Sequence, residues 1–169
     1  TGSCAAAAAL ASCLWRRDGE CPAAVEIVVP EGRVFRAEIH PRGDYTCGVI
    51  KDAGDDPDIT NGCEVRAQVE PLHREGDIRF CAGEGVGAIT LPGLKLPVGE
   101  PAINPVPREM IARAVRSVYP AQAANVTVSI PGGAKLAQST FNPRLGVAGG
   151  LSVLGTTGVE SGELVRAVS

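Results

Sequence analysis

The sequence predicts an α+β fold: a mixed sheet, partly hairpins, with helices packed against it. Three observations predict it. Short β-branched runs separated by turn residues crowd the first hundred positions. An alanine-rich segment at the start and an amphipathic segment near position 110 carry helical patterns. Strand and helix alternate only in the second part, so a clean doubly wound pattern is not formed. The chain has 169 residues, enough for one domain or a large fragment of a two-domain protein.

Residues 4–16 read as a helix, because alanine has the best helix propensity, and Ser3 is the expected N-cap. Its alanine face allows close approach of either a sheet or a ligand. Val25–Val29 and Val34–Ile39 are strands joined by the turn Pro30-Glu31-Gly32-Arg33. Tyr45–Lys51 is a further strand, and Val65–Val69 alternates apolar with polar as a half-buried strand does. Ile78–Phe80 leads into Gly83-Glu84-Gly85-Val86-Gly87, and Ala88–Leu91 leaves it. The clearest helix is 107–118, with Pro107 in its first turn, one stripe of Met110, Ile111, Ala114, Val115 and Val118, and Pro120 as its stop. Asn125–Ile130 alternates as a strand, 134–139 is a short helical piece, Leu151–Leu154 is extended, and 163–168 starts another helix.

Apolar residues make up 44% of the chain but aromatic ones only 4%, so Val, Ile, Leu and Ala must build the core, with Trp15 part of it. No run of about 18 apolar residues exists, which excludes a spanning helix. Net charge is −3; residues 1–100 hold 10 basic and 16 acidic side chains and residues 101–169 hold 6 and 3. No basic stripe marks a nucleic-acid partner, whereas the positive second part suits a polyanionic small molecule. The six cysteines include no CxxC pair and match no common zinc spacing. They read as reduced, packed thiols of a cytoplasmic protein, with no metal site. The chain opens on Thr1 without an initiator Met and reads as cut or processed.

Densely placed glycine and proline mark shaped loops, where backbone N–H groups can face a ligand. Gly83, Gly85 and Gly87 follow a strand, but the next residues are β-like and end in Pro92, so no helix opens on a phosphate and a nicotinamide or flavin fingerprint is excluded. A bent strand and a ligand-lining backbone both remain open. Lys51–Asp58 holds Asp52, Asp55, Asp56 and Asp58, either a polar turn with Asx hydrogen bonds or carboxylates for hydroxyls, an amine or a proton. His40 and His73 sit in no nucleophile motif. Asn142-Pro143-Arg144 and Gly155-Thr156-Thr157-Gly158 offer an amide, a guanidinium and hydroxyls suited to anions; Arg144 fits a salt bridge equally well.

Taken in order, Thr1–Ala8, Lys51–Thr60, Gly83–Gly87, Pro97–Arg108, Ile130–Gly133, Thr140–Gly146 and Gly149–Gly158 resemble the CbiD family, cobalt-precorrin-5B C1-methyltransferases of anaerobic cobalamin synthesis. The resemblance implies an S-adenosylmethionine-dependent enzyme acting on C1 of a corrinoid that carries its own cobalt. It implies that this chain is the N-terminal domain of a two-domain protein whose second half is Rossmann-like. The alternative is a corrinoid-binding module without activity of its own; a homo-oligomer is compatible with either. On that reading Asp52, Asp55, Asp56 and Glu84 are the catalytic or proton-handling candidates. Gly83, Gly85, Gly87, Thr156 and Thr157 would line the methyl-donor site, and Arg108, Asn142 and Arg144 would meet the substrate's carboxylates. The resemblance also shows two departures: Asn61 stands where the family commonly has His, and Val159–Glu163 replaces Pro-Met-Ser.

Overall fold

A computed structural model describes residues 1–54, 58–140 and 142–155, with the Asn142 backbone but not its side chain. Its elements in chain order are α1 (Gly2–Asp18), β1 (Ala24–Val28), β2 (Val34–Glu38), β3 (His40–Pro41), β4 (Thr46–Ile50), β5 (Glu64–Glu75), β6 (Ile78–Ala82), β7 (Ala88–Ile89), α2 (Pro105–Val118), β8 (Gln122–Ser129), α3 (Gly133–Ala137), α4 (Asn142–Leu145) and β9 (Val147–Ala148). The main sheet has the order β3-β4-β5-β8-β6. Its pairs are antiparallel except β6 with β8, which run parallel on either side of the α2 crossover. The predicted α+β class holds: hairpins come first, and a βαβ unit comes late.

Helix α1 is buried almost all round, with Ala5 to Ala9 and Ala11 at 0% exposure. Methyl-sized side chains let it lie on β4 and β5 while α2 and the β1–β2 hairpin press on its other sides. It also completes the sheet. Strand β4 stops opposite Gln68, so on that side the next β5 residue, Val69, would have unpaired backbone groups. Ser12 Oγ accepts from Val69 N–H at 2.9 Å and Arg16 Nε donates to its carbonyl at 2.6 Å. The expected N-cap is corrected: Thr1 holds that position, and Ser3 is buried inside the first turn because the helix begins at Gly2, two residues earlier than expected.

Helix α2 also begins earlier than predicted, with Asn104 at the N-cap and Pro105 leading. Its stripe is buried as expected, with Ile111 and Val115 at 0% exposure. The helices α1 and α2 run in the same direction. At one end a Cβ on Gly2 would lie 3.1 Å from Pro107. At the other, Tyr119 lies within electrostatic reach of Cys13, Arg16, Arg17 and Asp18. Trp15 packs edge-on to Tyr45 at 5.3 Å, and Arg16 lies over the same tyrosine ring at 4.2 Å. The strand predicted over 65–69 extends through Pro71 to Glu75, with a register shift between those two residues that absorbs the missing proline donor. The helix expected at 163–168 lies outside the described residues.

The glycine run is where three backbone segments cross. Gly83 N–H donates to Val128 O, Ile130 N–H to Glu84 O, Leu151 N–H to Gly85 O, Gly87 N–H to Leu151 O, and Ala102 N–H to Gly87 O, all within 2.7–2.9 Å. A Cβ on Gly133 or on Gly150 would lie 2.5 Å from Gly85 O. These bonds to other backbone hold the bend at Gly83–Gly87.

Candidate functional site

A groove of about 530 Å³ opens beside β6, the edge strand of the main sheet, between that strand and the loop Gly99–Pro101. Phe80 and Ile78 give it an apolar floor, while Arg79, Glu100 and Arg108 bring charge. Arg108 is anchored on the wall. Its Nε donates to Ile103 O at 2.6 Å, Nη2 to Pro101 O at 3.0 Å and Nη1 to Glu100 Oε1 at 3.1 Å. The guanidinium also lies 5.1 Å from the centre of the Phe80 ring. The expected substrate contact is therefore first a brace for the 100–103 loop, with the rest of its fork left toward the groove.

A second polar locus forms where α1 begins. Leu154 O accepts from Gly2 N–H at 2.9 Å, and Thr1 Oγ1 accepts from Leu154 N–H at 3.1 Å. Gly155 approaches Val106 and Pro107, so the segment leading to Thr156 passes the starts of both long helices. Lys51 stands nearby. Its ammonium donates to Asp58 Oδ2 at 2.6 Å and to Thr60 Oγ1 at 2.7 Å, and Thr60 in turn donates to Asp58 Oδ1 from both its hydroxyl and its N–H. Burial alone would raise the Asp58 carboxyl, but the hydrogen bonds from Lys51 and Thr60 overcome it and hold the group at about 2. Burial pushes the Cys4 thiol up against nearby positive charge that includes Lys51.

The other expected site residues fall in different surroundings. Asp52 accepts from Gly54 N–H at 2.8 Å in an Asx turn, and Asn61 pins the same loop by accepting from Ala53 N–H at 2.8 Å. The amide at position 61 thus performs a hydrogen-bonding role that needs no imidazole. Asp55, Asp56, Thr156 and Thr157 lie outside the described residues. Glu84 is exposed and accepts from Gly132 N–H at 3.3 Å. Arg144 is exposed on the short α4 and makes no ion pair with a described residue, so its guanidinium is open to a ligand. Lys51 and Thr60, which clamp the already singled-out Asp58, together with Ser3 and Phe80, are the functional candidates that sequence reasoning passed over. Only the lysine in front of the acid run could have signalled any of them.

Acid stability follows from two carboxylates. Arg42, and then Arg66, hold Glu64 at about 2 against an ordinary 4.5, and Asp58 stands at about 2 against 3.8. Both folded values are depressed. Their stabilisation is thus complete above about pH 5 and is lost as pH falls towards about 2. Urea midpoints should fall between pH 6 and pH 3, and the Asp58→Asn, Glu64→Gln double variant should show a flatter decline. A double variant that falls as steeply as the parent would assign the effect to other carboxylates.

The pattern of elements recurs in known proteins. Residues 1–162 match the CbiD family. The cobalt-precorrin-5B C(1)-methyltransferase of Bradyrhizobium sp. is 52% identical over 167 residues, covering 94% of this chain and 44% of that protein. The one of Thermus thermophilus is 56% identical over 164 residues, covering 94% and 43%. A crystal structure of the cobalamin biosynthesis protein CbiD from Archaeoglobus fulgidus aligns with a TM-score of 0.68 and 30% identity, over 93% of this chain and 51% of that one. The chain therefore spans less than half the length of the curated relatives it matches. With its whole described fold inside the matched span, the chain belongs to the CbiD family.

Proposed function

We propose that this chain is the corrinoid-holding part of an enzyme that transfers a methyl group from S-adenosylmethionine to C1 of cobalt-precorrin-5B, giving cobalt-precorrin-6A, in the cytoplasm. The carrying observation is the 52–56% identity to proteins named cobalt-precorrin-5B C(1)-methyltransferase, sustained over 94% of this chain. The rest of such an enzyme, about as long again, supplies the second domain.

The chemistry asks little reactivity of the protein. A sulfonium is already a strong electrophile: the methyl passes to the ring carbon and the electron pair of the broken S–C bond stays on sulfur. The protein must align sulfur, methyl and C1 and keep water out. Cobalt arrives with the substrate. The chain's contribution is to hold the carboxylate rim of the macrocycle. Arg144 is exposed and has no ion-pair partner among the described residues, Arg108 edges a groove with an apolar floor, and Asn142 lies in the same family segment as Arg144, while Thr156 and Thr157 are kept for the methyl donor. Asp52, Asp55, Asp56 and Glu84 are the candidate acceptors for a proton leaving the macrocycle. In this reading Gly83, Gly85 and Gly87 are the frame of the site, because their backbone partners are other strands.

Incubation of the protein with methyl-labelled S-adenosylmethionine and cobalt-precorrin-5B should place the label at C1. Binding of the corrinoid without label transfer would restrict the chain to holding substrate. Absence of binding would remove the proposal.

A further inference from the structure

We propose that the first turn of α1 is a seat for one peripheral carboxylate of the corrinoid, received by the Ser3 hydroxyl and the backbone N–H groups of Ser3 and Cys4; the ligand's identity rests on the function proposed above. Three polar residues are buried among those described: Ser3 at 5% exposure, Ser12 at 0% and Thr60 at 8%. Ser12 bonds Val69 N–H, and Thr60 bonds both Lys51 and Asp58. The Ser3 hydroxyl has no partner among the described residues. A buried hydroxyl without one is costly, so it persists where a ligand completes it.

Its surroundings define the ligand's charge. Cα–Cβ bonds in a helix tilt towards the N-terminal end, so the Ser3 side chain leans towards the free N–H groups of the first turn. The backbone there is only partly satisfied. Gly2 N–H is taken by Leu154 O and Ala5 N–H by Thr1 O, whereas Ser3 and Cys4 N–H have no acceptor among the described residues. A helix of 17 residues places partial positive charge at that end, and its first turn carries no acidic side chain to offset it. Lys51 adds positive charge within reach of Cys4, while Asp58 of the adjoining loop is held by Lys51 and Thr60. One hydroxyl and two N–H groups match the two oxygens of a carboxylate, the group that rims the corrinoid.

Two probes test the seat: propionate, and a cobalt corrinoid with free acid side chains compared with its methyl ester. Propionate should shift the amide resonances of Ser3 and Cys4. The wild type should bind the free-acid corrinoid more tightly than the ester. Ser3→Ala should weaken free-acid binding by roughly tenfold or more, leave ester binding unchanged, and leave the melting temperature equal or higher because no native hydrogen bond is removed. Amides unmoved by propionate, or Ser3→Ala binding the free acid like wild type, would overturn the seat. Shifts with propionate but no binding of either corrinoid would keep the carboxylate seat and overturn the corrinoid function instead.

Discussion

Gly85→Ala is expected to leave little folded protein. The residue has φ +80, a left-handed conformation that costs an alanine roughly 1–2 kcal/mol. Lack of space costs more. A Cβ at this position would lie 1.8 Å from Ile130 O and 2.8 Å from its carbonyl carbon, and those atoms are backbone. Moving them would disturb the bond from Gly133 N–H to Ile130 O and those from Ile130 N–H to Glu84 O and Leu151 N–H to Gly85 O, where three segments cross. Strain, overpacking and lost hydrogen bonds together come to about 4 kcal/mol or more, a large share of a domain's typical stability. Gly32→Ala is the control. It has φ +88 but nothing within 4 Å of its Cβ position, so only the conformational cost of about 1 kcal/mol applies. Soluble yield and urea unfolding of the two variants separate backbone strain from steric crowding. Equal losses would mean that the crossing relaxes freely and the close approach carries no weight.

That crossing shows where a single sequence stops being legible. The strands could be read because Val126, Val128 and Ile130, or Val65, Ala67 and Val69, repeat with the period of a sheet whose one face is buried. Helix α2 could be read for the same reason at its own period, since Ile111 and Val115 point inward while Arg113 is exposed. The glycines announced a special backbone but not its cause. Gly85 lacks a side chain because Ile130, forty-five positions later, passes over it, and no local pattern encodes that meeting. The start of α1 escaped for a similar reason. The cap expected at Ser3 rests on local propensity, whereas the helix is fixed at Gly2 by Leu154 from the far end of the described chain.

The site was legible in its inventory more than in its geometry. Arg144 and Arg108 stand out in the sequence as guanidiniums for an acid-rimmed ligand; one is open and the other is largely engaged with its own loop. The acid run at 52–58 stands out for its carboxylates, yet the described part is organised by Lys51, which binds Asp58 and Thr60 across a turn whose path no periodicity predicts. Asp52 makes the Asx turn that a polar loop commonly makes. The family segments were recognisable because they are long and ordered, but which of their groups face a ligand depends on partners distant in sequence.

Arg108 provides the second large effect and distinguishes the two roles open to it. If the guanidinium chiefly braces the 100–103 loop, Arg108→Met leaves Ile103 O without its donor beside the fully buried Ala102 and Ile103, and leaves Pro101 O with Ile103 N–H alone. The orphaned carbonyl costs roughly 1–3 kcal/mol, so the melting temperature should fall by about 5 °C. Arg108→Lys should recover little of that, because one ammonium cannot reach the carbonyls of Ile103 and Pro101 and the carboxylate of Glu100 together, and the contact with the Phe80 ring is lost. Were Arg108 instead a charge for the substrate alone, both variants would melt like the parent and lysine would restore corrinoid binding. Thermal unfolding with corrinoid titration of the same two proteins reads both roles at once. The brace predicts that binding falls in step with loop stability, so the groove beside β6 loses its wall when Arg108 is replaced by either residue.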